Sequence, residues 1–457
     1  MSGARAHEEL LGLARSALAR AGVAEAQIAL RDRTRHGARF SRGALGEHMV
    51  LSEPLALVRA AEGRRVAEVR TDDVDEEGLV AAVRAAHDAA KVAPETDGFD
   101  GFAGAGAPHV EPVRWAEATA RIDEEARASR VAEVLRRVQN AGFVAAGMLE
   151  TQATRSAIVT TRGCARGASS TVAGFRVWAL ESASGLGSAG YGGHLHRDVS
   201  ALRVDEETER AIAVARDGRS PVAVDPGAWD VVMEPPALAE LVEWLGAIAF
   251  GAREVEQGTS PLAGRLGERL TGESVTITED PLDDSELGFG APFDAEGVPR
   301  ARVPLIEGGV ARGVLYDRGH ASRAGAASTG SALALEVPES TVGPTALHMA
   351  GGSAESVDEL VRGMDRGLYV CRLHYVNGFV DTRRAVMTGL TRDGCFLVEK
   401  GKITRPVKNL RFCDSFLEAL ARADGMTRAR RAIPTWWSDA GATVVPAVRI
   451  RGLTFVS

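Results

Sequence analysis

Cysteine is scarce in this chain. Among 457 residues there are four, Cys164, Cys371, Cys395 and Cys413, widely spaced and never as a Cys-x-x-Cys pair. That excludes a disulfide framework and predicts a reduced, cytoplasmic protein. Aromatic residues are also few, whereas alanine, glycine and arginine are plentiful. No uninterrupted apolar run approaches the ~18–20 residues of a membrane span, so no membrane partner is expected. There is no Lys/Arg block, and the net charge is −8, which argues against nucleic acid as a partner. The N-terminal stretch MSGARAHEELLGLARSALARAG lacks a signal-peptide h-region and cleavage site, and reads as an amphipathic helix of a mature chain. What is present is ordinary for a soluble globular protein. Hydrophobic residues at 45% and charged residues at 25% allow a core without disulfides or a structural metal. The length predicts two or three domains, at ~100–200 residues each.

Residues 6–21 carry Leu10, Leu11, Ala14, Ala17 and Leu18 at helical spacing, and Gly22 ends the run. Strand-like segments follow, with a hairpin at Glu62-Gly63. A second helix is expected from Asp73, with Glu76 at capping-box spacing, and Pro94 closes it. Residues 94–112 read as a Gly/Ala/Pro-rich connector. A long helix is expected over 113–138, then strands, then a short helix over 205–216. Helices that bracket antiparallel strands indicate α+β architecture. After Pro221 the rhythm changes. PALAELVEWLGAIAFGA reads as a buried helix and is followed by strands with turns at Gly308-Gly309 and Lys400-Gly401. The expected organisation is an N-terminal domain, residues 1–220, of helices on an antiparallel sheet. A C-terminal domain, residues 221–457, is expected to be β-rich, barrel-like or mixed, with a buried helix.

Several catalytic patterns are missing. Gly401-Lys402-Ile403 lacks the Ser/Thr and the glycine-rich approach of a phosphate loop. Ala326-Ala327-Ser328-Thr329-Gly330 lacks the first glycine of a hydrolase elbow. His194-Leu195-His196 would put two imidazoles on one face of a strand, as metal ligands or as part of a solvated hairpin. Cys371 and His374, three apart on a strand, point to opposite faces. A zinc-peptidase helix needs two histidines on one face and a glutamate general base. Between His196 and His320 the chain has no histidine.

The segments QGTSPLAGRLGERLTGESVTITEDP, APFDAEGVPRARVPLIEGGVARGVLYDRGHASRAG, GLYV and CFLVEKGKITRPVKNLRF, in this order, resemble the TldD/PmbA (TldD/TldE) metallopeptidase family. So does the N-terminal LALVRAAEGRRVAEVRTDDVDEEGLVAAVRAAHDAAKVAP, and the likeness covers nearly the whole chain. In that family the TldD kind carries His-Glu-x-x-x-His in the helix before the QGTS-like segment, with a cysteine near the C-terminus as third zinc ligand. The PmbA (TldE) kind lacks both and pairs with TldD. Here the helix runs from Glu240 to Phe250 with carboxylates Glu240 and Glu243 and no imidazole, and no cysteine follows Cys413. The resemblance therefore implies a PmbA/TldE-like, non-catalytic subunit with no metal of its own. A zinc-bearing TldD-like partner would complete a heterodimer whose cleft degrades or matures unfolded peptides.

Candidate peptide-cleft residues are Asp294 and Glu296, in Phe293-Asp294-Ala295-Glu296-Gly297, and His320. The first two also suit a structural turn, with Asp294 capping amides and Gly297 at positive φ. His320, Arg318 and Arg323 suit polar or salt-bridged loop positions equally well. Trp436-Trp437 suits an interface anchor or a cap on the C-terminal sheet. Two other functions stand beside the subunit role. One is a stand-alone hydrolase drawing on His320, His348, His374, Cys371 and Cys395. The other is a peptide-binding scaffold without turnover.

Overall fold

The computed structural model describes residues 7–106, 114–333, 342–434 and 441–456. The first half contains α1 (His7–Ala21), β1 (Ala26–Ser41), β2 (Ala44–Glu62), β3 (Arg65–Thr71), α2 (Glu76–Val92), α3 (Glu117–Ala120), α4 (Glu124–Asn140), β4 (Val144–Thr160), β5 (Ala165–Leu180), β6 (Ala189–His196) and α5 (Val204–Asp217). Its six strands form one antiparallel sheet in the order β3-β2-β1-β4-β5-β6. Alternation along the strands gives this sheet two different faces. Ile28, Leu30, Ala157 and Val159 pack under α1 and α2. Phe40, Leu149, Phe175 and Val177 pack under α4 and α5. The opposite face turns toward the second half of the chain, where Ala29, Leu57 and Ile158 meet Phe293.

The second half contains β7 (Gly227–Met233), α6 (Pro235–Ala249), α7 (Ala252–Glu256), β8 (Ile277–Glu279), β9 (Val303–Glu307), β10 (Val310–Ala311), α8 (Arg318–Ala324), β11 (Leu347–Met349), α9 (Val357–Arg362), β12 (Arg366–Asp381), β13 (Val386–Glu399), β14 (Lys402–Pro406), β15 (Arg411–Ser415), α10 (Phe416–Ala421), β16 (Ala423–Pro434) and β17 (Ala442–Val456). Its strands form a mixed sheet, and pairing of β17 with β7 closes β7, β12, β13, β15 and β17 into a ring. The side chains of α6 join the same apolar cluster as Leu368, Val370 and Leu373 of β12 and Val448 and Ile450 of β17. A helix apolar on nearly all sides belongs inside a core, and α6 is buried along its length. Gly308 and Gly309 both take positive φ at the β9–β10 turn, and so do Lys400 and Gly401 between β13 and β14.

Two helix boundaries differ from the sequence reading. The second helix begins at Glu76, because Asp75 supplies the cap by accepting from the Gly78 N–H. Asp73 instead lies in a turn, its N–H donated to Thr71 Oγ1. The expected 113–138 helix is two helices, α3 and α4. Asp123 restarts the chain by capping the Ala126 N–H, and α4 runs on to Asn140. Trp115 precedes both, under the guanidinium of Arg155 at 4.6 Å.

Arginines bind the two halves together. Arg114 donates to the carbonyls of Pro281, Asp283 and Gly288, and Arg197 to those of Asp284 and Ser285. Arg431 on β16 reaches back to Glu207 on α5 at 2.5 Å. Arg372 on β12 lies over the rings of Trp178 and Tyr191, while Trp178 Nε1 donates to Asp393 at 3.0 Å.

Candidate functional site

Asp294 and Glu296 sit in a tight turn at the tip of the 281–300 loop, pressed against the N-terminal sheet. Gly297 has φ +79°, and a Cβ there would meet Cys164 Sγ at 2.7 Å, so only glycine fits. Asp294 is 3% exposed. One of its oxygens accepts from the N–H groups of Glu296 and Val298, both at 2.9 Å, and the other from Ala332 N–H at 3.0 Å. The turn's carbonyls are occupied in docking. Arg166 Nε donates to Gly297 O at 2.7 Å, and Gln27 Nε2 to Ala295 O at 2.9 Å.

Glu296 points the other way. Its carboxylate accepts from Arg318 N–H at 2.8 Å and lies 3.5 Å from Arg59 Nη1. Burial is the largest influence and pushes its carboxyl up to about 7; Arg59 opposes the rise, and Asp294 and Asp317 add to it. His320 lies in the first turn of α8, which Asp317 caps through the His320 N–H at 2.7 Å. The Asp317 carboxylate also holds His320 Nδ1 at 2.8 Å, and Nε2 faces Glu256 at 3.6 Å. Arg323 holds both oxygens of Glu256 at 2.8 Å, and Arg318 holds Asp100 at 2.6 Å.

Glu296 and His320 thus face one cavity of about 220 Å³, walled by Gln27 and Arg59 on one side and α8 on the other. Asp294 lies on the far side of the turn and lines a different cavity. The third wall is the segment 96–103, which the sequence reading treats only as connector. A signal was there: the doubled Asp-Gly-Phe of residues 97–102. Gly98 and Gly101 take positive φ, and Phe99 and Phe102 meet edge to face with centroids 5.2 Å apart. A carboxyl that titrates near neutrality, a guanidinium and an imidazole around a polar cavity can hold the main-chain groups of an extended peptide.

The residues present do not fit a zinc site on α6. Its ionisable side chains are Glu240 and Glu243, and zinc sites of this class need imidazole or thiolate donors. Glu240 takes a hydrogen bond from the Val376 backbone, and burial raises its carboxyl. The neighbouring Trp244 packs edge to face on Phe379, centroids 5.0 Å apart. Among the described residues no three His, Cys, Asp or Glu side chains gather as a metal-holding group. His194 and His196 do share a face of β6, their rings 6.3 Å apart. His194 is pushed down to about 4, first by burial and then by Arg203 and Arg431. His348 lies buried on β11 with Nδ1 3.5 Å from Asp283, and the ring of His374 lies tilted against that of Tyr375, centroids 4.1 Å apart. Cys371 and Cys395 are buried on neighbouring strands, and burial pushes the Cys395 thiol up to about 12. Trp436 and Trp437 lie outside the described residues.

Residues 226–457 match the PmbA/TldA metallopeptidase C-terminal domain. A metalloprotease of Methanothermobacter thermautotrophicus is 31% identical over 201 residues, 44% of this chain and 43% of that one. A metalloprotease TldD homologue of Haemophilus influenzae is 28% identical over 253 residues, 52% of this chain and 49% of that one. The chain thus matches about half or less of these relatives' own length. The crystal structure of TldE from Thermococcus kodakarensis shares the fold, with a TM-score of 0.87 at 18% identity, covering 99% of this chain and 100% of that one. With its C-terminal half matched throughout and the fold shared end to end, the chain belongs to the TldD/PmbA metallopeptidase family.

Proposed function

We propose that this chain is the PmbA/TldE-like, non-catalytic subunit of a TldD/TldE-type heterodimeric zinc metallopeptidase that degrades or matures unfolded peptides in the cytoplasm. The observation that carries the reading is α6. It stands before the Gln257-Gly258-Thr259-Ser260 segment, where the TldD kind carries its histidines. Here it presents Glu240 and Glu243 within an apolar core helix. In this reading zinc belongs to the partner, and it would supply the Lewis acid and the activated water. This chain's part is to bind and orient. Glu296 and His320 are its candidate peptide contacts, and exposed sheet edges such as β3 offer main-chain groups for β-augmentation of an extended peptide.

The test is metal analysis and casein degradation with the chain alone, with a TldD-like partner alone, and with the two co-expressed. The expected result is no stoichiometric zinc in the isolated chain and chelator-sensitive cleavage by the pair. One tightly held zinc per isolated chain would overturn the proposal. Cleavage by the isolated chain would favour a stand-alone hydrolase, and peptide binding without turnover in every pairing would favour a scaffold.

A further inference from the structure

The second cavity, of about 120 Å³, lies between the face of the N-terminal sheet opposite its helices and the 281–300 loop. Its floor is set by strand register. Arg31 pairs with Ser156 and Arg33 with Thr154 across β1 and β4, and Thr154 pairs with Ser170 across β4 and β5. Alternation puts these residues on one face, so the middle of a buried sheet surface is polar. The roof brings Arg114 and Arg300. Among the described residues the lining thus holds four arginines and one carboxylate, Asp294, whose oxygens already accept three backbone N–H groups.

Two of these arginines have donors left over. Arg300 is 4% exposed; its Nε donates to Phe293 O and its Nη1 to Thr345 Oγ1, but its Nη2 has no hydrogen-bond partner among the described residues. Glu279, 4.0 Å away, already accepts from Thr345 and Ala346 N–H groups. Among the described residues Arg114, also 4% exposed, meets only neutral carbonyls with its Nη atoms, and its Nε is unpartnered. A buried guanidinium with an unmet N–H is costly, and a negatively charged oxygen is its best partner. Hydroxyls from Thr154, Ser156 and Ser170 add neutral donors on the opposite wall.

We propose that this cavity is a binding site for a small oxyanion, the carboxylate or phosphate group of a compact ligand, held by Arg300 and Arg114 between the two halves of the chain. The site is separate from the Glu296–His320 cavity and does not depend on the subunit role. A ligand there would touch both halves and tie them together.

The test is calorimetric titration of the full chain with inorganic phosphate and, separately, with succinate, at constant ionic strength made up with chloride. Saturable binding of one equivalent in either arm, with Kd below about 1 mM, is expected, and the arm that binds identifies the source. Arg300→Gln should weaken it at least about ten-fold. Ser170→Ile, which fills the cavity from the sheet side without removing a charge, should abolish it while circular dichroism stays native. Absence of anion-specific binding in both arms would overturn the proposal. So would binding that survives both substitutions unchanged.

Discussion

The buried carboxyl of Glu296 makes a prediction with a defined sign. Its folded value is about 7 against an ordinary 4.5. Between those values the folded chain holds a proton that the unfolded chain has released. The contribution of Glu296 to stability must therefore fall as pH rises from about 4.5 to about 7, and stay level beyond. Each unit is worth about 1.4 kcal/mol, so 2.5 units amount to about 3 kcal/mol. The structural cause is a balance that burial wins. The ionised form gains one N–H, from Arg318, and Arg59 at 3.5 Å, but it loses water and faces Asp294 and Asp317. Glu296→Gln removes the titration and keeps an oxygen for the Arg318 N–H. The two proteins should be about equally stable near pH 4.5, and the variant more stable by about 3 kcal/mol at pH 8. Urea denaturation followed by circular dichroism at pH 4.5, 5.5, 6.5 and 8 measures the difference. A difference that is flat with pH would refute the reasoning. A wild-type chain that gains on the variant as pH rises would show that the Arg59 ion pair outweighs burial.

Three further perturbations test packing and backbone. Arg431→Met leaves the buried Glu207 without its guanidinium and should cost about 3–5 kcal/mol; pairing it with Glu207→Gln should recover much of the loss, as a double-mutant cycle would show. Gly190→Ala should destabilise by about 1–3 kcal/mol, because its Cβ would meet Ala211 O of α5 at 2.0 Å, whereas Gly12→Ala on the open side of α1 should stabilise by about 0.5–1 kcal/mol, both read from thermal melting.

Local pattern carried much of the fold. The apolar stripe of Leu10, Leu11, Ala14, Ala17 and Leu18 is the buried face of α1. The near-continuous apolar run of α6 is a core helix, and the glycine turns at 308–309 and 400–401 join strands. The misplaced boundaries at Asp73 and at 113–138 share one cause. Asp72, Asp73 and Asp75 all stood near the first start, and in 113–138 Asp123 stood inside an apolar spacing that read as continuous; which aspartate caps is chosen by the direction of the incoming chain, which spacing does not encode.

The candidate site was legible only in pieces. Asp294, Glu296 and His320 stood out as polar residues among glycines, but whether they meet depends on a turn docked by Gln27 and Arg166, more than 130 residues away in sequence. The polar floor of the second cavity had no local signal. Arg31 and Arg33 look like ordinary strand residues until β4 and β5 set Thr154 and Ser170 beside them and the 281–300 loop lowers Arg300 over them.

The sequence by itself determined the architecture class, the family, and the carboxylate-only character of α6, because periodicity, turn residues and the identity of ligands are properties of short segments. Tertiary structure alone decided which face of the N-terminal sheet carries its helices and which receives the second half of the chain. It decided that Glu296 and Asp294, two residues apart, open onto different cavities. It also decided which arginines end with donors unmet, because burial and partnership are relations between segments that only the folded chain brings together.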